Sequence, residues 1–491
     1  MKALLIATLT ADPGPSELEE LARTADWLEI RADLGVDPDP QRVRAAFPGK
    51  ILYTLRSRGE GGRSQAWSNE RREALRRAAE LWDMVDLEAE RDLQPPILSA
   101  VPPERRVISW HGPGADLESL RERFGRMESQ PARYYKLAPS ARTVKEALAP
   151  LALQRSLGRG DVIAFAVGRC GTWTRLLAPR LGAPVVFGSW GPRRGAPGQL
   201  AIEQLRSAYG LPDLPPLTNL YGIVGNPVEG SLSPKLHNAL YREQGVEALY
   251  LPFHVESFGD FWLDLVESGS LAVLGFRLAG LSVTAPFKEV ALAVAGASSP
   301  LAERVGAVNT LVRHSGVWEA ETTDPEGVVE PLAERGVRIE GRAAAVVGAG
   351  GAGRAAAWGL AHAGARVTLF NRGIERGRRV ARELGLSFRP IDELPPGDFD
   401  LLVNATSVGG GSTDEPLFPV DRLRPGAAVI DLVYRQDGPT RQVREARDAG
   451  FLAIDGREAL LHQAVAQYRL MTGRELPLAR GRELLGLETA A

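Results

Sequence analysis

The sequence predicts an α/β protein built in two halves, and three observations carry that expectation. Before residue 210, eight short apolar runs alternate with helical stretches, one unit every 20–30 residues or so. The Pro-rich segment Leu211–Asn219 (LPDLPPLTN) then interrupts the pattern as a short, semi-rigid connection. In the second half, Ala343–Arg372 sets glycines between a strand-like run and an Ala-rich helix, and a second strand-like run follows. A chain of 491 residues is expected to divide, because single cores stop growing near about 250–300 residues.

The eight runs are Leu4–Leu9, Trp27–Arg31, Ile51–Leu55, Met84–Leu87, Val107–Trp110, Arg133–Leu137, Val162–Val167 and Pro184–Gly188. Helical stretches such as Ser16–Ala25, Asn69–Leu81, Asp116–Phe124 and Ser140–Leu157 separate them. Near-continuous apolar strands suit a parallel sheet covered on both faces. Eight βα units suggest a (β/α)8 barrel, with a doubly wound open sheet as the competing arrangement.

Barrel chemistry gathers at the C-terminal ends of the strands. Those ends carry Glu29 and Arg31, Arg56 and Glu60, Asp86 and Glu88, then His111 and Lys136, with Arg175 and Gln199 in the last two loops. Singly, each has a plain structural reading: ion pairs for Arg31 and Arg56, a solvated loop acid for Glu60, a satisfied turn histidine for His111. Lys136 ends the apolar run YYKL, where an amine is costly unless paired, exposed at a rim or useful.

Composition narrows the function classes. The chain is 44% hydrophobic and 24% charged, with formal net charge −2, so no global basic excess points to nucleic acid. No apolar run is long enough to span a membrane. The start, MKALLIATLTADPG, holds too short an apolar segment for a signal peptide and reads as a first strand. One cysteine, Cys170, excludes a disulfide framework or a Cys-rich metal site, and the histidines form no HExxH pairing. The expectation is a cytoplasmic enzyme of small-molecule substrates without a metal; the oligomeric state is not legible. Of 59 basic residues only six are lysines, Lys2, Lys50, Lys136, Lys145, Lys235 and Lys288. A chain so biased to arginine should keep lysine where a Schiff base or a transferable proton is needed, and Lys136 and Lys288, which lie in motif-like surroundings, become the candidates.

In the first half, LEIRAD, YTLRSRGEGG, ISWHGPG, YYKLAP, GRCGTWTR and GAPGQ together resemble type I 3-dehydroquinate dehydratase, in order and spacing. The resemblance implies that Lys136 forms an imine with the substrate ketone, that His111 moves the proton, and that Glu60 orients the imidazole. It makes Arg175 the carboxylate holder and Glu29, Arg31, Arg56 and Gln199 substrate-binding residues. Gly195 departs from the serine usual in that loop, which puts one hydroxyl contact in question.

The second half contains GNPVEGSLSPKLHN, LSVTAPFKE, VGAVNTL, ETTDPEG, VNATSVGG and DLVY. Ser231 and Ser233 have the plain reading of caps for a helix begun by Pro234, Lys288 that of a helix-start lysine, and Asp324 that of a cap or turn acid. In this order the segments resemble shikimate dehydrogenase. The resemblance implies a catalytic pair, Lys288 and Asp324, with Ser231, Ser233, Thr284, Asn309, Tyr434 and Gln463 on the substrate. Thr322, Pro325 and Gly230 depart from its usual pattern. The implied layout is a barrel over 1–210, a linker over 211–219, an α/β substrate domain over 220–325 completed by the C-terminal 456–491, and a Rossmann domain over 326–455.

The glycine turn is the expected dinucleotide site, because its strand–turn–helix–strand context lets a pyrophosphate approach the helix N-terminus. Gly348, Gly350, Gly351 and Gly353 form it, with Asn404, Thr406 and Ser407 implied on the nicotinamide side. The second strand ends in Asn371-Arg372 instead of an acid, with Arg376, Arg378 and Arg379 behind, which favours NADP(H). The two resemblances join chemically, since dehydration of 3-dehydroquinate gives the ketone that the second half would reduce to shikimate. The competing readings are a ligand sensor that has lost catalysis, and a second half preferring quinate.

Overall fold

A computed structural model describes residues 2–65, 68–410, 414–436 and 438–487. By internal contacts the chain forms two units: Met1–Leu220 with Gly245–Leu278, and Tyr221–Gln244 with Ala279–Ala491.

The first unit holds eight parallel strands, β1 (Leu4–Leu9), β2 (Trp27–Arg31), β3 (Lys50–Thr54), β4 (Met84–Glu88), β5 (Arg106–Trp110), β6 (Tyr134–Leu137), β7 (Val162–Ala164) and β8 (Val185–Trp190). They run in the order β7-β6-β5-β4-β3-β2-β1-β8, each pairing with its neighbour in parallel register, and β1 bonds both β2 and β8. This is a nearly closed (β/α)8 barrel. Both faces of β2, β4 and β5 are buried along their whole length, which is why these strands read as unbroken apolar runs.

The last strands differ from the expected bounds for local reasons. β7 stops at Ala164, and the chain turns at Gly168 (φ +103°) into a 3-10 turn, Arg169–Gly171, that leads to the helix carrying Arg175. The stretch from Ser140 becomes helical only at Val144, where Thr143 caps it and Glu146 completes a capping box. Also in this unit, a strand β10 (Ala248–His254) and its helices bring Phe253 against the fully buried Trp173, with ring centres 5.5 Å apart.

The second unit contains most of β9 (Asn219–Gly225) and β11 (Arg277–Val283), with β12 (Ala297–Ser298), β13 (Thr310–His314) and β14 (Val317–Glu321). β13 pairs antiparallel with β11 and β14, and β12 runs parallel to β14. A separate six-stranded sheet is fully parallel, in the order β17-β16-β15-β18-β19-β20. Its strands are β15 (Ala343–Val347), β16 (Arg366–Asn371), β17 (Ser387–Pro390), β18 (Leu401–Asn404), β19 (Ala428–Asp431) and β20 (Leu452–Ile454). Apolar cores cover both faces: Val346, Leu369 and Val403 belong to one, and Val347, Phe370 and Leu402 to the other. The strand order reverses between β15 and β18, which is the switch point where such sheets bind ligands. The helix Gly456–Thr472 then packs along the helix Glu326–Glu334, bringing Gln463 beside Asn309.

Among the described residues no helix is long and apolar enough to cross a membrane. One group among them, Glu334, Glu458 and His462, has metal-like spacing. Arg482 lies 2.5 Å from Glu334 and Arg335 lies 3.2 Å from Glu458, so cations of the chain already hold both carboxylates.

Candidate active sites

Side chains two apart on a strand share a face, and this period assembles the first site. Thr8 on β1, Glu29 and Arg31 on β2, Thr54 and then Arg56 on β3, Asp86 and Glu88 on β4, Ser109 and then His111 on β5, and Lys136 on β6 follow it. Glu29, Arg31, Arg56, Glu60, His111, Lys136, Arg175 and Gln199 all line one cavity of about 330 Å³. Every first-half residue singled out from the resemblance is therefore in one place.

Lys136 is only 6% exposed, and its ammonium lies 4.1 Å from the centre of the Phe187 ring. Burial lowers its pKa to about 8, with Glu29 acting in the opposite sense. Burial alone would raise Glu29, yet Lys136, Arg31 and the hydroxyls of Thr8 and Thr54 hold it below its ordinary value. Those hydroxyls donate to its two oxygens at 2.6 and 2.9 Å, and Gln199 Nε2 donates to Thr8 at 2.9 Å.

His111 and Glu60 form the second part of the wall. Glu60 Oε2 accepts from the His111 backbone N–H at 3.0 Å and from Arg56 Nη1 at 3.1 Å, and it lies 3.1 Å from His111 Nδ1. Burial, then Arg56 and Lys136, hold the imidazole well below its ordinary pKa and so favour the neutral ring. Burial raises the Glu60 carboxyl to about 8 against the pull of Arg56. A proton on Oε1, which is buried and has no partner, is compatible with all three contacts to Oε2. His111 Nδ1 then carries a hydrogen toward Oε2, which leaves the lone pair on Nε2.

Arg56 also bonds Asp86 and Ser109, each at 2.8 Å, and Ser109 donates to Asp86 at 2.6 Å. Its guanidinium is a strut as much as a ligand group. Arg175 is the opposite case: 8% exposed, it forms no ion pair among the described residues and lies 4.3 Å from the Phe165 ring centre. Its Nε has no partner, and burial lowers the group to about 10. At Gly195, a Cβ would come within 2.6 Å of Gln199 Oε1, so with Gln199 so placed the site has no room for a serine, while Arg31 Nη1 donates to the Gly195 carbonyl at 2.6 Å.

In the second unit, Ser233, Thr284, Lys288, Asn309, Asp324, Tyr434 and Gln463 line a cavity of about 180 Å³. Ser231 lies outside that wall but hydrogen-bonds Tyr434. The N-cap residue of the helix Ser233–Glu243 is Leu232, but the Ser231 hydroxyl accepts from the first helical N–H, that of Ser233, at 3.2 Å. Lys288 Nζ lies 2.5 Å from Asp324 Oδ2, and Asn309 Nδ2 donates to Asp324 Oδ1 at 2.9 Å. Asp324 is therefore no helix cap; Pro325 takes that position, with φ −57° and ψ −40° that suit a helix start, and the departure leaves the carboxylate engaged. Thr322 leaves its buried hydroxyl without a hydrogen-bond partner among the described residues. Gly230 faces open space, and its carbonyl accepts from Gln436 at 3.3 Å.

The sequence reading missed the groups that hold this site in shape. Gln467 donates to the Asn309 carbonyl at 3.1 Å and to Thr310 at 2.8 Å, and accepts from Ser282 at 2.7 Å. Its signal was available, since it follows Gln463 by one helical turn.

The glycine turn follows β15 as expected. Gly348 has φ +114°, and a Cβ at Gly353 would lie 1.9 Å from the Gly348 carbonyl oxygen, so strand end and helix start meet at glycine distance. The helix Gly351–His362 begins there, and Gly351 packs on the Lys288 side chain. Asn371 accepts from the Ala349 N–H at 3.1 Å, tying the end of β16 to the turn. Asn404 is fully buried; it donates to Asp431 at 2.9 Å and accepts from both the Thr406 N–H and hydroxyl. It shapes the Thr406-Ser407 turn, with no atom left over for a ligand. Arg372 is exposed and makes no ion pair among the described residues, whereas Arg376, Arg378 and Arg379 all lie near glutamates.

Comparisons with known proteins agree with this geometry. Residues 4–214 match the family model described as type I 3-dehydroquinase, and residues 223–311 match the shikimate dehydrogenase substrate binding domain. A chloroplastic bifunctional 3-dehydroquinate dehydratase/shikimate dehydrogenase of Arabidopsis thaliana is 31% identical, over 97% of this chain and 83% of that one. A shikimate dehydrogenase (NADP(+)) of Natronomonas pharaonis is 43% identical over 54% of this chain and 98% of its own length. The solved shikimate dehydrogenase of Aquifex aeolicus superposes with TM-score 0.50 at 31% identity, covering 55% of this chain and 97% of that one. The chain belongs to the bifunctional family that joins a type I 3-dehydroquinate dehydratase to a shikimate dehydrogenase.

Proposed function

We propose that the two cavities carry the two activities separately, with Lys136 the covalent catalyst of the first. A buried amine with its pKa near 8 is partly unprotonated at neutral pH and can attack the ketone of 3-dehydroquinate. Loss of water gives an imine, whose protonated form draws electrons from the adjacent C–H bond. His111 Nε2 takes that proton, the ring hydroxyl departs with a proton returned by the imidazolium, and water hydrolyses the imine to release 3-dehydroshikimate. Glu60 holds the ring in the tautomer this needs. Arg175, a buried cation with no carboxylate partner among the described residues, supplies the seat for the substrate carboxylate. That unpaired guanidinium within the Lys136 cavity is the observation that carries the reading.

In the second cavity, Lys288 supplies the proton to the alkoxide that forms as the ketone of 3-dehydroshikimate is reduced, and Asp324 holds the ammonium at the reacting end. Ser233, Thr284, Asn309, Tyr434 and Gln463 position the carboxylate and hydroxyls. NADP(H) fits the glycine turn: the helix N-terminus is open to a pyrophosphate, no carboxylate ends β16, and exposed Arg372 follows it. When bound, it supplies the hydride. The N. pharaonis relative is named for the same dinucleotide. Gly348, Gly350, Gly351 and Gly353 admit its phosphates, and Thr406 and Ser407 bound its nicotinamide side.

Borohydride reduction in the presence of 3-dehydroquinate tests the first assignment. A stable adduct on the Lys136 peptide is expected; an adduct that persists in Lys136→Ala contradicts it.

A further inference from the structure

The arginines behind β16 are not equivalent. Arg372 is exposed and makes no ion pair among the described residues. Arg376, on the helix Ile374–Leu384, donates through Nε to the Ala349 carbonyl inside the glycine turn at 3.0 Å, and through Nη2 to Glu289 Oε1. Arg379 Nη2 stands 4.0 Å from the other oxygen of the same carboxylate. Glu289 directly follows Lys288, whose side chain packs on Gly351 and pairs with Asp324. One carboxylate thus reaches from the catalytic segment to two cations beside the dinucleotide turn.

A phosphate on the adenosine ribose would bring close to two negative charges toward the end of β16, where an NAD site carries an acid. The cations that answer such a group lie at Arg372 and Arg376, and Arg376 already has an anionic partner. We infer that Glu289 is an internal competitor for that phosphate: it holds Arg376 while the site is free and weakens the binding of a phosphorylated dinucleotide selectively. This rests on the assignment of NADP(H) to the glycine turn. The phosphate must either take Arg376 from Glu289 or share it beside a like charge, and both cost affinity. An unphosphorylated dinucleotide asks nothing of Arg376 at that place, so its binding is little affected. Linkage makes the effect reciprocal: a bound phosphate loosens the Glu289 contact and so the tie between the Lys288 segment and the helix Ile374–Leu384.

The pair is partly exposed, with side chains 48% and 30% accessible, so its effect is that of a surface ion pair. Binding of NADPH and of NADH to the full chain, followed by nicotinamide fluorescence, tests the inference in wild type, Glu289→Gln, Arg376→Gln and the double variant. Glu289→Gln is expected to tighten NADPH by about two- to fivefold, to leave NADH unchanged, and to lose its effect in the Arg376→Gln background. Unchanged or weaker NADPH binding in Glu289→Gln overturns the inference, as does equal tightening of NADH. A wild-type chain that binds NADH as tightly as NADPH contradicts the cofactor assignment itself, independently of Glu289.

Discussion

Lys136 holds its amine 4.1 Å above the Phe187 ring, with no carboxylate hydrogen-bonded to it among the described residues, inside the cavity that Glu29, His111 and Arg175 also line. The apolar floor and the burial it brings lower the pKa to about 8.

The pH dependence of covalent trapping follows from that value. In the proposed mechanism the nucleophile is the neutral amine, so the rate of adduct formation should rise as pH increases toward about 8 and level off above it. Rates measured by quenched borohydride trapping between pH 6 and 9.5 check this. A profile still climbing steeply above pH 9 would place the amine in an ordinary environment and sink the argument.

His111→Ala should leave imine formation in place while dehydration slows by about 10²–10⁴-fold, the usual range for loss of a general acid–base. Mass spectrometry after borohydride should still find the Lys136 adduct. Glu60→Gln should cost less, since the backbone N–H of His111 and the Arg56 contact can be kept by an amide oxygen. Equal losses for the two variants would argue that Glu60 touches substrate itself.

Arg175 combines burial with the lack of an ionic partner among the described residues, a state costly to the fold and useful to a carboxylate ligand. Arg175→Met should raise thermal stability, by roughly 1–3 kcal/mol, while KM for 3-dehydroquinate rises by at least about tenfold. Calorimetry and steady-state kinetics on the same preparation check both signs. A destabilised variant would show that the guanidinium holds the barrel together.

Much of this was legible in the sequence, and what was missed has a physical reason. The barrel strands announced themselves because burial on both faces leaves few polar interruptions, so Leu4–Leu9 and Trp27–Arg31 are found at the expected bounds. β7 is three residues shorter than the apolar run Val162–Val167, because that run continues past the last strand pairing into the turn toward Arg175. Reactive residues stood out through charge in apolar surroundings. Their supports did not: Thr8, Thr54, Ser109 and Gln467 are small or neutral, and only the period of the strand or helix, applied to a known neighbour, points to them. Asn404 illustrates the converse, since the motif VNATS nominated it for cofactor contact and the fold commits its amide to Asp431, Val408 and Thr406. Glu289 lay beside a nominated lysine, but nothing in the linear chain places it against Arg376.

Lys288→Ala should abolish reduction by at least about 10²-fold and leave dehydration intact, because the two lysines line different cavities. Separate assays with 3-dehydroquinate and with 3-dehydroshikimate check the split. Parallel loss of both activities would contradict two independent sites. Arg372→Ala should weaken NADPH and leave NADH nearly unchanged, read as a shift in the ratio of their dissociation constants.

The most direct measurement supplies the wild-type chain with 3-dehydroquinate and NADPH and follows products alongside cofactor absorbance. Shikimate should appear with one NADPH oxidised per molecule formed, and omission of NADPH should stop the reaction at 3-dehydroshikimate. Cofactor that stays reduced while 3-dehydroshikimate accumulates, or 3-dehydroquinate that persists unchanged, would contradict the account.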